Sequence, residues 1–213
     1  MYSKMNRALD RNYLIIKRIF DFILGGIGFV IFFPLYITIA YLVYIEDGGS
    51  IFFEQERVGR GGKIFKLLKF RSMKVAQGRY LDLDLLEADP RVTKIGKLLR
   101  ITAMDELPQV INILKGEMSF VGPKPLPYII DDDEKVRYNT LSDVYGYSTR
   151  IKMTPGLTGI SQIYAKKTIS RRSKFRYDNL YSKNRNLCLD LKLIFLSLFI
   201  TLRAKWETAE RKI

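Results

Sequence analysis

Asp105 and Glu106 stand side by side between Arg100 and Pro125, and they are the residues around which the chemistry of this sequence is organised. Pro108 follows them and fits the first turn of a helix, where its missing N–H costs nothing. Val110, Ile111, Ile113 and Leu114 give an apolar stripe at helical spacing, and Gly116 is a natural stop. Asp105 is therefore expected at or near the N-cap, on the positive end of a short helix whose free N–H groups also suit a phosphate. A carboxylate and a phosphate placed together point to phosphoryl chemistry. On these residues alone the plainer reading, a capping Asp105 and a solvated first-turn Glu106, has the stronger claim.

The composition narrows what such a pair can do. None of the 213 residues is histidine, which removes Ser-His-Asp and Cys-His catalysis and histidine metal sites. Cys188 is the one cysteine, so an intrachain disulfide and a cysteine zinc cluster are excluded, and a reducing compartment fits. Acid–base, nucleophilic or metal-binding work falls on carboxylates, hydroxyls, Lys and Tyr. A divalent ion would need oxygen ligands, which favours Mg²⁺ or Mn²⁺. The formal net charge of +14 implies an anionic partner: nucleic acid, anionic lipid or a phosphorylated substrate. The length allows one domain with attachments.

The elements that must position the pair begin with a polar, basic stretch over residues 1–21, followed by 24 uncharged residues from Phe22 to Ile45. A bilayer needs about 20 apolar residues. The run is too long for the apolar core of a signal peptide and lacks a small-residue cleavage site. Pro34 sits in its middle, removes the hydrogen bond to the Val30 carbonyl and should kink the helix. Both flanks are basic, which a straight span would place on opposite sides. A helix that enters, breaks at Pro34 and leaves on the same side satisfies both flanks; an ordinary signal anchor with a tolerated proline is the even alternative.

Further on, residues 51–57 and 63–70 read as two strands joined by a hairpin loop at Gly59-Arg60-Gly61-Gly62. The second strand carries Lys66, Lys69 and Arg71, either a solvated face or a contact to phosphate or headgroups. Residues 74–90 are polar. Residues 94–100 read as a short basic helix delivering the chain to Asp105. An acidic patch at Asp131 to Glu134 precedes peripheral helix and loop over 137–150. Thr154 to Gly159 reads as a rigid turn whose glycines allow close approach to a ligand, or as a plain turn. Residues 166–176 are basic. The last element, about 187–203, has ten uncharged residues from Leu193 to Leu202, too few to span. Lys192, Arg203, Lys205 and Trp206 border it, as on an interfacial helix, with a core helix as the alternative. The chain is thus expected to divide at 1–47, 48–186 and 187–213.

Seven pieces in order, covering nearly the whole chain, resemble the monotopic phosphoglycosyl transferases, the bacterial sugar transferase family that starts glycan assembly on polyprenyl phosphate. They are Lys17-Arg18-Ile-Phe-Asp21 entering the Pro-broken run; Gln55-Glu-Arg57-Val-Gly59; Lys69-Phe-Arg71-Ser-Met73; Arg100 with Asp105-Glu106-Leu-Pro-Gln109 and Asn112; Lys115-Gly-Glu-Met-Ser119-Phe-Val-Gly122-Pro-Lys-Pro125; Pro155-Gly-Leu-Thr-Gly159 with Gln162; and Asp178, Tyr181 and Leu189-Asp190-Leu-Lys192.

The resemblance implies an α+β, mostly helical fold: a re-entrant N-terminal membrane helix broken at Pro34, a β-hairpin, and a small catalytic domain at the cytoplasmic face of the bacterial inner membrane with interfacial amphipathic helices. It implies Asp105 as the nucleophile on the β-phosphate of a UDP-sugar, UMP as the leaving group, and an aspartyl phosphosugar that polyprenyl phosphate then attacks. Mg²⁺ would be held by Glu106, with Asp105. Arg71, Arg100 and Lys124 are the implied phosphate contacts, with Gln109, Asp178 and Tyr181 as further substrate contacts. Membrane lipid is an implied partner, a homodimer is compatible, and nucleic acid is not expected. Lys124 departs from the family's usual Gly-Pro-Arg-Pro, replacing a forked guanidinium by an ammonium; Phe33, Thr154 and Ile160 depart as well. A basic nucleic-acid-binding protein with an anchor is the first competing class, but the sequence has no helix-turn-helix, aromatic-stacking or zinc motif. A non-catalytic membrane scaffold is the second.

Overall fold

A computed structural model of the chain describes residues 2–74, 91–128, 146–166 and 169–206. The expectations for 75–90, for the acidic patch at 131–134 and for 137–145 lie outside the described residues.

The N-terminal run is two helices. Helix α1 (Tyr2–Ile31) continues through the basic stretch, and α2 (Phe33–Asp47) follows after a bend of 62°. The break falls beside Pro34, as expected, and the proline sits in the first turn of α2, where its missing N–H costs nothing. The Phe32 N–H still reaches the Gly28 carbonyl at 3.0 Å. No single described helix is long and apolar enough to cross a membrane; the bent pair meets that requirement together. The inner face of α2, Tyr36, Ile39 and Val43, packs on Phe70 and Leu99. Its outer face, and that of α1 from Ile15 to Ile31, is apolar and exposed.

Behind α2 lies the hairpin. Strand β1 (Phe52–Val58) runs antiparallel to β2 (Ile64–Phe70), with Val58 opposite Ile64 across a short turn at Arg60–Gly62. Helix α3 (Lys94–Thr102) is capped by the Thr93 hydroxyl, which accepts from Gly96 N–H at 2.9 Å. Helix α4 (Gln109–Lys115) stops at Gly116, whose φ of 86° suits glycine. Asn112 fastens α4 to the hairpin. Its Oδ1 accepts from Leu68 N–H at 3.1 Å and its Nδ2 donates to the Lys66 carbonyl at 2.8 Å, so one side chain serves β2 as a neighbouring strand would.

Strand β3 (Ser119–Val121) leads to β4 (Leu126–Pro127), which pairs with β1. After α5 (Tyr147–Arg150) comes β5 (Gly156–Thr158), parallel to β3. The expected turn at 154–159 therefore contains a strand, and its glycines meet protein backbone. A Cβ on Gly156 would lie 2.0 Å from the Gly122 nitrogen, so the two segments can cross this closely only without side chains.

Helices α6 (Ile160–Tyr164), α7 (Arg171–Asn184) and α8 (Leu187–Leu202) close the core. The last helix buries one face in the core and exposes an apolar one. Leu193 and Ile200 are fully buried beside Val121, Ile163 and Tyr181, while Leu191, Phe195, Leu198, Phe199 and Leu202 form an exposed apolar stripe. Asp190 of α8 binds α1: it accepts from Lys17 Nζ at 2.8 Å and from the hydroxyls of Tyr13 at 2.9 Å and Tyr181 at 2.7 Å.

Candidate active site

Ala103 ends α3 in the left-handed region, at φ 56°, and turns the chain into a 3₁₀ turn, Met104–Glu106. This corrects the expected position of Asp105. The residue capping α4 is Pro108, and Asp105 precedes that helix in the tighter turn. The charges that act on the pair come from side chains.

Lys69 of β2 is the nearest. Its Nζ donates to Glu106 Oε1 at 2.6 Å and stands 3.5 Å from Asp105 Oδ2. Arg57 of β1, Arg100 at the end of α3 and Lys124 of the β3–β4 loop also act on the pair. Burial pushes the Asp105 carboxyl up to about 6, and the adjacent Glu106 adds to this against the pull of Lys69 and Arg100. Burial would raise Glu106 too, but Lys69, Lys124 and Arg57 together outweigh it and hold that carboxyl below the usual value. The two neighbours are thus driven apart: Glu106 is an anion tied to Lys69, and Asp105 is a desolvated carboxylate with a raised affinity for its proton.

The loop that presents Lys124 is clamped. Arg57 Nη1 donates to the Pro125 carbonyl at 3.2 Å, Arg150 Nη2 donates to the Lys124 carbonyl, and Gly156 N–H donates to Pro123 at 2.9 Å. Three successive carbonyls are held this way in a segment whose two prolines have no N–H to offer. Arg150 is itself fixed by Asp178, by ring contact with Phe175 at 4.8 Å, and by Ser161 donating to Asp178 at 3.1 Å.

The structure places the expected site residues unevenly. Asp105, Glu106, Arg100 and Lys124 come together, and Gln109 is buried in the first turn of α4. Three expected substrate contacts are engaged elsewhere. Arg71 pairs with Asp47 at the end of α2, Asp178 holds Arg150, and Tyr181 donates to Asp190 at 2.7 Å. Lys69 and Arg57 are members of the site that the implied contacts omitted. The signal for them was present in the Gln55–Gly59 and Lys69–Met73 pieces, and a buried carboxylate with a half-buried one beside it demands cations.

Among the described residues no group of three or more His, Cys, Asp or Glu gathers around a point. The pair is nonetheless a fitting donor set for Mg²⁺, which is bound by one or two carboxylates and completes its shell with water and substrate phosphates.

The raised Asp105 value carries a pH prediction. Its folded pKa, about 6, lies above the ordinary 3.8, so the folded state holds the proton more tightly. Stability from this group is complete below pH 4 and is lost as pH rises through 6. In metal-free protein at pH 7.5, Asp105→Asn should raise stability by on the order of 2 kcal/mol. A thermal or urea melt checks this; a variant no more stable than its parent contradicts it.

Comparison with known sequences gives a consistent result. The model of the bacterial sugar transferase family matches residues 12–204. The exopolysaccharide production protein ExoY of Rhizobium meliloti is 36% identical over 84% of this chain and 82% of its own length. The UDP-glucose:undecaprenyl-phosphate glucose-1-phosphate transferase of Klebsiella pneumoniae is 38% identical over 87% of this chain and 40% of its own length. The UDP-N-acetylgalactosamine-undecaprenyl-phosphate N-acetylgalactosaminephosphotransferase of Aeromonas hydrophila is 35% identical over 86% of this chain and 43% of its own length. The chain therefore spans less than half the length of these last two relatives.

Proposed function

The chain belongs to the bacterial sugar transferase family, and from that premise we propose that it transfers a sugar 1-phosphate from a UDP-sugar to polyprenyl phosphate. The observation that carries this is the adjacent pair of buried Asp105 and half-buried Glu106, facing cations from β1, β2, α3 and the β3–β4 loop. An Asp105 oxygen attacks the β-phosphorus, the bond from that phosphorus to the bridging oxygen breaks, and UMP leaves with the electron pair. Lys69 keeps Glu106 ionised and in place. Arg57, Arg100 and Lys124 oppose the negative charge that builds on the phosphoryl oxygens. A polyprenyl phosphate oxygen then attacks the same phosphorus, and the Asp105 carboxylate departs. Mg²⁺, held by Glu106 and Asp105, would neutralise the donor diphosphate.

The relatives' names include glucose, galactose and N-acetylgalactosamine donors, so the expected donor is a UDP-hexose, and a panel of these with polyprenyl phosphate identifies it. UMP should be the nucleotide product, and parallel double-reciprocal plots should accompany it. Donor alone should add one phosphosugar to the mass of Asp105. Release of UDP would overturn the assignment. Converging plots without an adduct would replace the two-step route by direct transfer.

This reading places the bent α1–α2 pair in the cytoplasmic leaflet, entering and leaving on one side. The motive is the 62° bend between apolar, exposed helices, with a basic stretch before them and basic residues following from Arg57 on. In a C188S background, which removes the exposed native thiol, S3C and R60C should both be labelled from the cytoplasmic side. Labelling of S3C from outside would show a span. Pro34→Leu should increase that outside fraction.

A further inference from the structure

We propose that a second site for a phosphate group, supplied by a lipid headgroup, lies between α1 and the catalytic core; it does not rest on the reaction proposed above. A cavity of about 170 Å³ opens there, bordered by Lys17, Arg18 and Asp21 of α1, Arg60 of the hairpin turn, Ser119 of β3 and Arg185. It has room for several waters or a phosphate group. Four of those bordering side chains are cations and one is a carboxylate.

Two of the cations, Arg18 and Lys17, are fixed by contacts that leave donors over, and a third, Arg185, is held against an aromatic ring. Arg18 donates Nη1 to the Ile113 carbonyl at 2.6 Å and Nη2 to Leu114 at 2.8 Å, which uses two of its five N–H groups. Lys17 gives one of its three to Asp190. Arg185 lies 5.7 Å over the Tyr13 ring. Arg60 is exposed on its glycine-flanked turn and can close over an occupant. An excess of positive charge around a part-open cavity, most of it prepositioned, is what an anion with several acceptor oxygens requires.

This site is separate from Asp105. The cavity reaches α4 at Gly116, past its C-terminal end, whereas Asp105 and Glu106 precede its N-terminus. Seven helical residues put about 10 Å between the two. The occupant is therefore not the acceptor undergoing reaction. A lipid is favoured over a soluble phosphate by the other face of the same helical turns. Ile15, Ile16, Ile19, Phe22 and Ile23 are each about half exposed, an apolar track on which acyl chains can lie beside the headgroup.

The test uses the full chain in neutral detergent and native mass spectrometry, titrated with short-chain phosphatidylglycerol, the matching diacylglycerol, and inorganic phosphate. Phosphatidylglycerol should bind in a 1:1 complex that diacylglycerol does not form. Arg60→Glu should weaken that complex at least tenfold, as should Arg185→Gln; the exposed position of Arg60 leaves the fold intact, which a thermal melt verifies. Inorganic phosphate bound as tightly, and lost in the same two variants, would uphold the phosphate site and assign it to a soluble ligand. Equal binding of phosphatidylglycerol and diacylglycerol, or binding unchanged in both variants, would overturn the site.

Discussion

Asp105→Asn is expected to lower sugar phosphate transfer by at least about a thousandfold, because an amide oxygen neither attacks phosphorus competently nor leaves as a carboxylate. The loss cannot be attributed to unfolding, since the same substitution should stabilise metal-free protein by removing a desolvated carboxylate whose pKa burial raises to about 6. That opposition of signs, more stable and inactive, separates a chemical role from a structural one. Glu106→Gln should also be severely slowed, but through a different route. It removes the charge that Lys69 holds at 2.6 Å and a ligand for the metal, so added Mg²⁺ should recover part of its activity and none of that of Asp105→Asn. Near-normal turnover by Asp105→Asn would end the proposed chemistry, whatever the other variants did.

Lys17→Met is expected to destabilise the fold by about 3–5 kcal/mol, the cost of leaving a buried carboxylate without its partner. Asp190 is 1% exposed and receives Lys17 Nζ at 2.8 Å. Tyr13 and Tyr181 would still donate to it, but neither hydroxyl carries a charge. Out of a total of about 5–15 kcal/mol for a domain, such a loss is large. It should be felt first where α1 meets α8, so hydrogen exchange in Tyr13–Asp21 should accelerate before exchange in the hairpin. Adding Asp190→Asn to Lys17→Met removes the stranded charge and should restore part of the stability in a urea melt. A single variant within 1 kcal/mol of the parent would show that the ion pair contributes little here.

Local patterns in the sequence were enough to place the adjacent acids, the hairpin, the stop at Gly116 and the apolar run with its break, because each depends on residues a few positions apart. Strand alternation, a glycine at positive φ and a proline without an N–H act within one or two turns of chain. The absence of histidine likewise limited the chemistry before any fold was considered. What only the tertiary structure decided is which distant groups meet. Lys69 reaches Glu106 across 37 positions and Lys17 reaches Asp190 across 173, and no periodicity encodes either pairing. The same holds for the protein partners of other expected site residues. Asp178 and Tyr181 belong to polar clusters that hold Arg150 and Asp190, and the glycines at 156 and 159 make room for Gly122, because in a packed interior the nearest neighbour of a polar group or a bare Cα is set by the crossing of elements. The position of Asp105 differs for the same reason. Pattern alone put it at or near a helix end, while the fold buries it in a 3₁₀ turn and brings four charged side chains to the pair from elsewhere.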